Sequence, residues 1–110
     1  MPHTIDNALD DELIEVVERD DGFGEYAIRL GELETVITIQ LRRLVGSEHT
    51  EFTVSHAIHT PTQADPYRTS IQYGDYPAQA LSSAVFALTQ YYRAAVRAGH
   101  NPDESWLVPN

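Results

Sequence analysis

Apolar and polar side chains alternate in three stretches of the chain, at residues 25–30, 35–44 and 51–59. A period of two is typical of strands that have one buried face. These stretches are also rich in β-branched and aromatic residues, which favour strands. The side chains that should share the inward face are Tyr26, Ile28, Leu30, Ile37, Ile39, Leu41, Phe52, Val54, His56 and Ile58.

Glycine, proline and short polar residues mark the connections between the strands. Residues 20–24 predict a turn, 31–32 a tight hairpin connection and 46–47 another turn. Two prolines make residues 60–66 a loop, and residues 68–73 resume as a short strand. The short spacing of these strands indicates a meander.

The N-terminal residues give a weaker signal. Residues 1–11 are polar and acidic, and we expect them to form a loose tail. Residues 12–19 are ambiguous, because apolar residues from Ile5 to Val17 recur at helical spacing whereas the β-branched content favours a strand. We favour the strand.

One long helix is predicted towards the C-terminus. Asp75 can cap its start, Pro77 is tolerated in its first turn, and Gly99 followed by Pro102 ends it. Its apolar stripe should cover one face of the sheet. That stripe consists of Leu81, Ala84, Val85, Leu88, Tyr92, Ala95 and Val96.

The pattern as a whole predicts an α+β fold. We expect an antiparallel β-meander of four to five strands, covered on one face by a single long C-terminal helix. The apolar pair Trp106 and Leu107 should dock back on the body. A length of 110 residues suits a single domain that spans residues 1–110.

Charge divides the chain unevenly. The sequence has 17 acidic residues and 7 basic ones, all arginine, for a net charge of −10. Residues 1–34 hold eleven of the acids and two arginines, which accounts for −9 of that charge. Such a field repels nucleic acid and anionic membranes and attracts basic partners. More commonly, such acidity serves to keep a protein surface soluble, and it can also reflect a halophilic organism or a GC-rich genome.

Several classes of protein are disfavoured by composition. The chain has no cysteine, so it has no disulfide, thiol nucleophile or thiolate metal site. No apolar run approaches the roughly 20 residues of a membrane helix. The N-terminus lacks the basic start and apolar stretch of a secretion signal. We expect a cytoplasmic protein.

Candidate catalytic and metal-binding residues are sparse. His56 and His59 lie three residues apart on a predicted strand, so they should point to opposite faces and not share an ion. A nucleophilic triad would combine Ser55 or Ser70 with one of these histidines and Asp65, but no GxSxG motif supports it. We therefore expect no metal, no cofactor and no enzymatic activity.

One aromatic residue is predicted to be exposed on the helix. The helical angle places Phe86 on the polar side, among Gln79, Gln90 and Arg93. An exposed phenylalanine beside arginine is either an ordinary surface residue or an anchor for a partner.

Residues 65–81 (DPYRTSIQYGDYPAQAL) resemble the strand-to-helix junction of an uncharacterised bacterial family of small meander-plus-helix proteins. In that family a strand runs through a glycine into a helix start with Gln-Ala-Leu, and a Trp-Leu pair closes the chain. The same junction is similar, more distantly, to that of HicB-type antitoxins. The resemblance covers roughly the last 50 residues, and it implies no catalytic residue.

The hypothesis for function is a non-enzymatic binding protein, immunity-like, antitoxin-like or an inhibitor, whose acidic N-terminal third binds a basic protein. The expected contacts are Glu15, Glu18, Asp20, Asp21, Glu25 and Phe86. One alternative is a structural or dimerising module that uses either the uncovered sheet face or the helix face that carries Phe86. A less favoured one is a small ligand-binding or enzymatic domain that uses His56, His59 and Tyr67.

Overall fold

The computed structural model describes residues 4–43, 45–46, 48–68 and 72–110, which form two sheets and one long helix. The elements are α1 (Ile5–Leu9), β1 (Ile14–Asp20), β2 (Glu25–Leu30), β3 (Ile37–Arg43), β4 (Thr50–Val54), β5 (His56–Ile58), β6 (Tyr73–Gly74), α2 (Pro77–Arg97), a 3₁₀ turn (Glu104–Trp106) and β7 (Leu107–Pro109).

The main sheet has five antiparallel strands in the order β1-β2-β3-β4-β6, and β5 pairs with β7 in a second, two-stranded sheet. Helix α2 covers one face of the main sheet. The predicted α+β class and the meander with a single long C-terminal helix are therefore confirmed.

The predicted inward positions of β2 and β3 are buried beneath the helix, from Tyr26 to Leu41. Most of the predicted helical stripe is buried as well, but Val96 is 44% exposed, so its prediction is wrong. Tyr92 and Ala95 fill the contact at this end of the helix, and Val96 lies at the margin of the stripe. Trp106 and Leu107 dock back on the body as predicted, both buried.

The strand predicted at 51–59 is broken at Ser55. Its backbone N–H donates to the carbonyl of Thr38 (2.9 Å), and its carbonyl accepts from the N–H of Asn110 (3.0 Å). The chain therefore leaves β3 at this residue and continues as the partner of the C-terminal strand. The alternation shifts here, because Ala57 and Ile58 are both buried whereas His56 is half-buried.

The N-terminal tail is more ordered than predicted. Thr4 and Asn7 form a reciprocal capping box at the start of α1, and Ala8 and Leu9 are buried near α2. The strand that follows confirms the preferred interpretation of residues 12–19.

One predicted connection differs from the structure, and two other predicted segments lie partly outside the described residues. The link between β2 and β3 runs over residues 31–36 and is not a two-residue turn. Of the strand predicted at 68–73, the structure gives Tyr73–Gly74, and residues 69–71 lie outside the described part of the chain. Leu44 and Ser47, which were assigned to a strand end and a turn, also lie outside it.

The helix begins differently from the prediction. Tyr76 is the N-cap residue and Pro77 is the first helical residue, so the predicted cap, Asp75, lies one position too early. The side-chain carbonyl of Gln79 reaches back and accepts from the N–H of Asp75 (2.6 Å). At the other end Gly99 has a φ of 93°, as its predicted role in ending the helix requires.

Two glycines allow α2 to lie close to the sheet. A Cβ added to Gly74 would lie 2.5 Å from the backbone nitrogen of Ala80, in the first turn of the helix. A Cβ added to Gly31 would collide with the ring of Tyr92, whose hydroxyl accepts from the N–H of Glu32 (3.0 Å). The helix is therefore in contact with the strands along most of its length.

We expect Gly74→Ala to lower the free energy of unfolding by about 2 kcal/mol, because the added methyl group meets backbone atoms that cannot rotate away. Gly99→Ala is the matched control, since its Cβ would meet no atom within 4 Å and only the backbone conformation is strained. We expect the control substitution to lower the free energy of unfolding by about 1 kcal/mol. Urea unfolding measures both, and equal losses would contradict the close approach.

A carboxylate fixes the C-terminal segment to the link between β2 and β3. Glu104 accepts from the N–H of Glu34 (2.8 Å) and from the N–H (3.0 Å) and hydroxyl (2.6 Å) of Thr35. The hydrogen bond from the Thr35 hydroxyl, together with those from the backbone, lowers the pKa of Glu104 below its ordinary value of 4.5.

A lowered pKa makes Glu104 stabilising above its unfolded-state pKa, and this contribution is lost as the pH falls through the folded-state value. We therefore expect Glu104→Gln to destabilise the protein at about pH 6 and to make less difference at about pH 3. Thermal unfolding across this range measures the effect. Glu32→Gln is the control, and a Glu104→Gln penalty that is independent of pH would contradict the assignment.

Candidate functional site

The face of the main sheet opposite α2 carries three neighbouring carboxylates. On β2, Tyr26 and Ile28 are buried under the helix, so Glu25 and Ala27 point to the opposite face. Cross-strand partners share a face, and Glu18 pairs with Ala27 while Asp20 pairs with Glu25. Glu18, Asp20 and Glu25 therefore lie together, and we call them the acidic patch.

A β-bulge produces this grouping. The register of β1 against β2 shifts between Val16 and Glu18. Strict alternation from Glu15 would place Glu18 and Asp20 on the helix side of β1. The extra residue reverses this and brings both onto the same face as Glu15. The bulge leaves no simple sequence signal, so the sequence pattern does not predict which carboxylates share a face.

Like charges face each other directly within the acidic patch. Asp20 and Glu25 are cross-strand partners, and Glu18 belongs to the next pair on the same face of the sheet. Like charges placed directly opposite each other on a sheet are destabilising. No arginine or histidine in the described ranges forms a salt bridge with any of the three.

The floor between these carboxylates is small and polar. Ala27 and its cross-strand partner Thr38 line a depression of about 430 Å³ together with the patch residues and with Arg19 and Tyr26. One carboxylate oxygen of Asp20 accepts the backbone N–H of Phe23 (3.0 Å), which fixes that side chain at the start of the turn. Three carboxylates therefore border this open depression.

Two other acids predicted as partner contacts are neutralised within the chain. Glu15 pairs with Arg29 (2.7 Å), and Asp21 pairs with Arg19 (2.9 Å), which also binds Asp6 (2.6 Å). The hydrogen bond from Arg19, followed by that from the Tyr26 hydroxyl, lowers the pKa of Asp21. Glu15 and Asp21 are therefore less available to a partner than the sequence predicts.

The hydroxyl of the buried Tyr26 also contacts the pair formed by Arg19 and Asp21. It donates to Asp21 (3.1 Å), and burial together with this bond raises the pKa of Tyr26 to about 12. The Arg19 and Asp21 pair thus anchors the end of β1 to the core. The role of this pair is therefore structural.

The two exposed phenylalanines lie in different places. Phe86 is 60% exposed on α2, as predicted, but it belongs to the helical layer and is separated from the acidic patch by the sheet. Phe23 is 79% exposed in the turn that joins β1 to β2. An aromatic residue between two glycines in a turn was the sequence signal for this exposure, and it was not used in predicting the contacts.

Of the residues considered for a triad, the structure brings Ser55 and His56 together. The hydroxyl of Ser55 accepts the N–H of Thr38 (2.8 Å) and lies 2.7 Å from Nδ1 of His56. The donor in this second contact depends on the tautomer of His56. Ser55 holds the bend between β4 and β5, and Ser70 lies outside the described residues.

His59 is directed elsewhere. Its Nε2 lies 3.2 Å from the carbonyl of Gln63, within the loop that contains Asp65. His56 and Tyr67 do line one common pocket of about 300 Å³, together with Arg68 and apolar side chains of β4 and α2. Within the described ranges, no three histidine or acidic side chains are grouped so that they could hold a metal ion.

Comparisons with protein-family models, with curated proteins and with solved structures find no match to this chain. The resemblance to the meander-plus-helix family and to HicB-type antitoxins therefore stays a prediction. Among the described helices, including the 21-residue α2, none has the length and apolar character needed to cross a membrane.

We expect Glu25→Gln to raise the free energy of unfolding by about 0.5 kcal/mol at low salt, because it removes the repulsion from Asp20. The gain should shrink at high salt, where the charges are screened. Glu32→Gln changes the net charge equally at the other end of the sheet and serves as the control. Equal gains from both variants would mean that only the overall charge matters.

Proposed function

We propose that this chain is a non-enzymatic binding protein, immunity-like, antitoxin-like or an inhibitor, that binds a basic protein through the acidic patch. The observation that carries the proposal is the direct pairing of Asp20 with Glu25, with Glu18 beside them. The described part of the chain supplies no salt bridge to these carboxylates. Lysine or arginine from a partner would relieve their repulsion on binding.

The charge of the whole molecule supports the same partner class. A net charge of −10 accelerates encounter with a cationic surface and disfavours nucleic acid and anionic membranes. Complementary charge of this kind raises the association rate more than it lowers the dissociation rate. The complex should therefore form quickly and depend strongly on salt.

The proposed interface retains only part of the set of contacts that the sequence predicts. Glu18, Asp20 and Glu25 form its centre. Glu15 and Asp21 contribute to the field but already have arginine partners, and Phe86 lies on the other side of the sheet.

Charge disfavours the dimerising alternative on this face. A symmetric dimer that uses the open face would place one acidic patch near another, and like charges across an interface are costly. The ligand-binding alternative would use the pocket with His56 and Tyr67, whereas His59 faces its own loop. We rank both below the basic protein partner.

The test uses a patch variant (Glu18→Gln, Asp20→Asn, Glu25→Gln) and a control variant with the same change in net charge (Asp10→Asn, Glu32→Gln, Asp65→Asn). Asn at position 20 keeps the side-chain oxygen that accepts from Phe23. Each protein is immobilised and exposed to lysate of the source cells at low salt. The proteins retained by wild type and control, but lost on the patch variant, are then purified.

We expect such a protein to be basic, and its association rate with the patch variant to fall by at least about tenfold at low salt. The control variant should differ little from wild type. Equal association rates for patch and control variants would contradict the proposal. A concentration-dependent dimer in sedimentation that is strengthened by the patch variant would favour the dimerising alternative.

A further inference from the structure

The turn between β1 and β2 displays an aromatic side chain that the fold does not use. Phe23 is 79% exposed, whereas Phe52 is 3% exposed in the core and Phe86 is 60% exposed on α2. Folding gains little from an aromatic ring in this position, because most of its surface stays in water. A single exposed phenylalanine is ordinary, so its surroundings decide what it means.

The backbone on both sides of Phe23 is fixed. Its N–H is held by the carboxylate of Asp20 (3.0 Å), and the carbonyl of Gly24 accepts the N–H of Leu41 in β3 (2.7 Å). Gly24 has a φ of 68°, and a Cβ at this position would lie 3.0 Å from the carbonyl oxygen of Leu41. The ring is therefore presented on a turn whose ends are held by the sheet.

The pair formed by Arg19 and Asp21 supports the same turn from below. Two nitrogens of Arg19 donate to the two carboxylate oxygens of Asp21 (2.9 and 3.0 Å), and the Tyr26 hydroxyl donates to Asp21 as well. A bidentate pair of this kind restricts both side chains. A partner that binds the turn would therefore have little backbone left to order.

The turn begins and ends at residues of the acidic patch. Asp20 precedes it and Glu25 follows it, so the exposed ring and the facing carboxylates occupy adjoining parts of one surface. On the β3 side, Arg42 follows Leu41, whose N–H is bonded to Gly24 of the turn, so the acidic residues at this end of the sheet belong to β1 and β2. Apolar and anionic groups thus lie next to each other at this edge of the sheet.

We propose that Phe23 is the apolar anchor of the interface, and that it inserts into an apolar pocket of the basic partner whose rim carries lysine or arginine. This rests on the proposed function and adds the shape and chemistry of the partner's site. A rigid aromatic anchor surrounded by polar contacts is the common arrangement of binding hot spots. Charge complementarity selects this occupant over a second copy of the chain, whose own patch would be repelled.

The test uses the protein labelled with 4-fluorophenylalanine and two synthetic peptides. One peptide has an apolar centre between pairs of arginines, and the other has a serine and glycine centre between the same pairs. The chain has three phenylalanines, so ¹⁹F NMR gives one signal for the anchor and two internal controls, Phe52 and Phe86. Single Phe→Leu variants assign the signals.

We expect the apolar-centred peptide to shift the Phe23 signal saturably and to leave those of Phe52 and Phe86 in place. Phe23→Ala should lower the affinity for this peptide by more than about tenfold and leave the affinity for the serine and glycine peptide unchanged. Phe86→Ala should leave both affinities unchanged. Thermal unfolding should be nearly the same for Phe23→Ala and wild type, since the ring is exposed.

The outcomes separate the two proposals. If both peptides bind equally and Phe23→Ala changes neither, the anchor is wrong while attraction by the acidic patch stands. If the Phe86 signal shifts and that of Phe23 does not, the interface lies on the helix and both proposals are wrong. If neither peptide binds, the acidic patch does not recognise cationic segments and both proposals fail.

Discussion

The close contact between α2 and the sheet is the constraint on which the other features depend. Gly74 admits the first turn of the helix at Ala80, and Gly31 admits the ring of Tyr92 near its other end. A side chain at Gly74 would meet the helix backbone and push the first turn outward, whereas one at Gly31 would displace the ring of Tyr92. The approach at Gly74 therefore sets how close the first turn lies to the sheet, and the one at Gly31 gives the Tyr92 ring its place near the other end.

The remaining elements are arranged around this helix. The short α1 and the segment after it are tied to α2 by Arg93, which binds Asp11 at 2.6 Å. Burial raises the pKa of Asp11, but the hydrogen bonds from Arg93 and from the N–H of Leu13 outweigh it and lower the pKa overall. The ring of Trp106 packs edge-on against Tyr92, 5.6 Å between centroids, so the C-terminal segment closes the same layer. With one helical layer complete, most side chains on the opposite face of the main sheet stay exposed.

The sequence predicted the parts of this fold that depend on local periodicity. The alternation in β2 and β3 and the stripe along α2 identified most of the core, because burial on one side imposes a period on the side chains. The bend at Ser55 escaped prediction, since it depends on a bond to Thr38 and on pairing with a strand about fifty residues away in the chain. Helix α1 was missed because five residues carry too little pattern.

The candidate site was predictable in charge but not in geometry. Counting acids located the negative region in the first 34 residues. The count could not tell that Arg19 and Arg29 would neutralise Asp21 and Glu15, because these pairs depend on the strand register. Nor could it place Glu18 and Asp20 on one face, which requires the bulge after Val16.

The free edge of the main sheet at β1 is guarded in two ways that respond differently to the solvent. Its carboxylates repel the edge of another copy, but mobile ions screen this repulsion over about 10 Å at 0.1 M salt. The bulge also interrupts the row of outward-facing peptide groups, and ions do not alter that geometry. At high salt the repulsion is screened, and the bulge then remains as the feature that hinders strand-to-strand association of copies through β1.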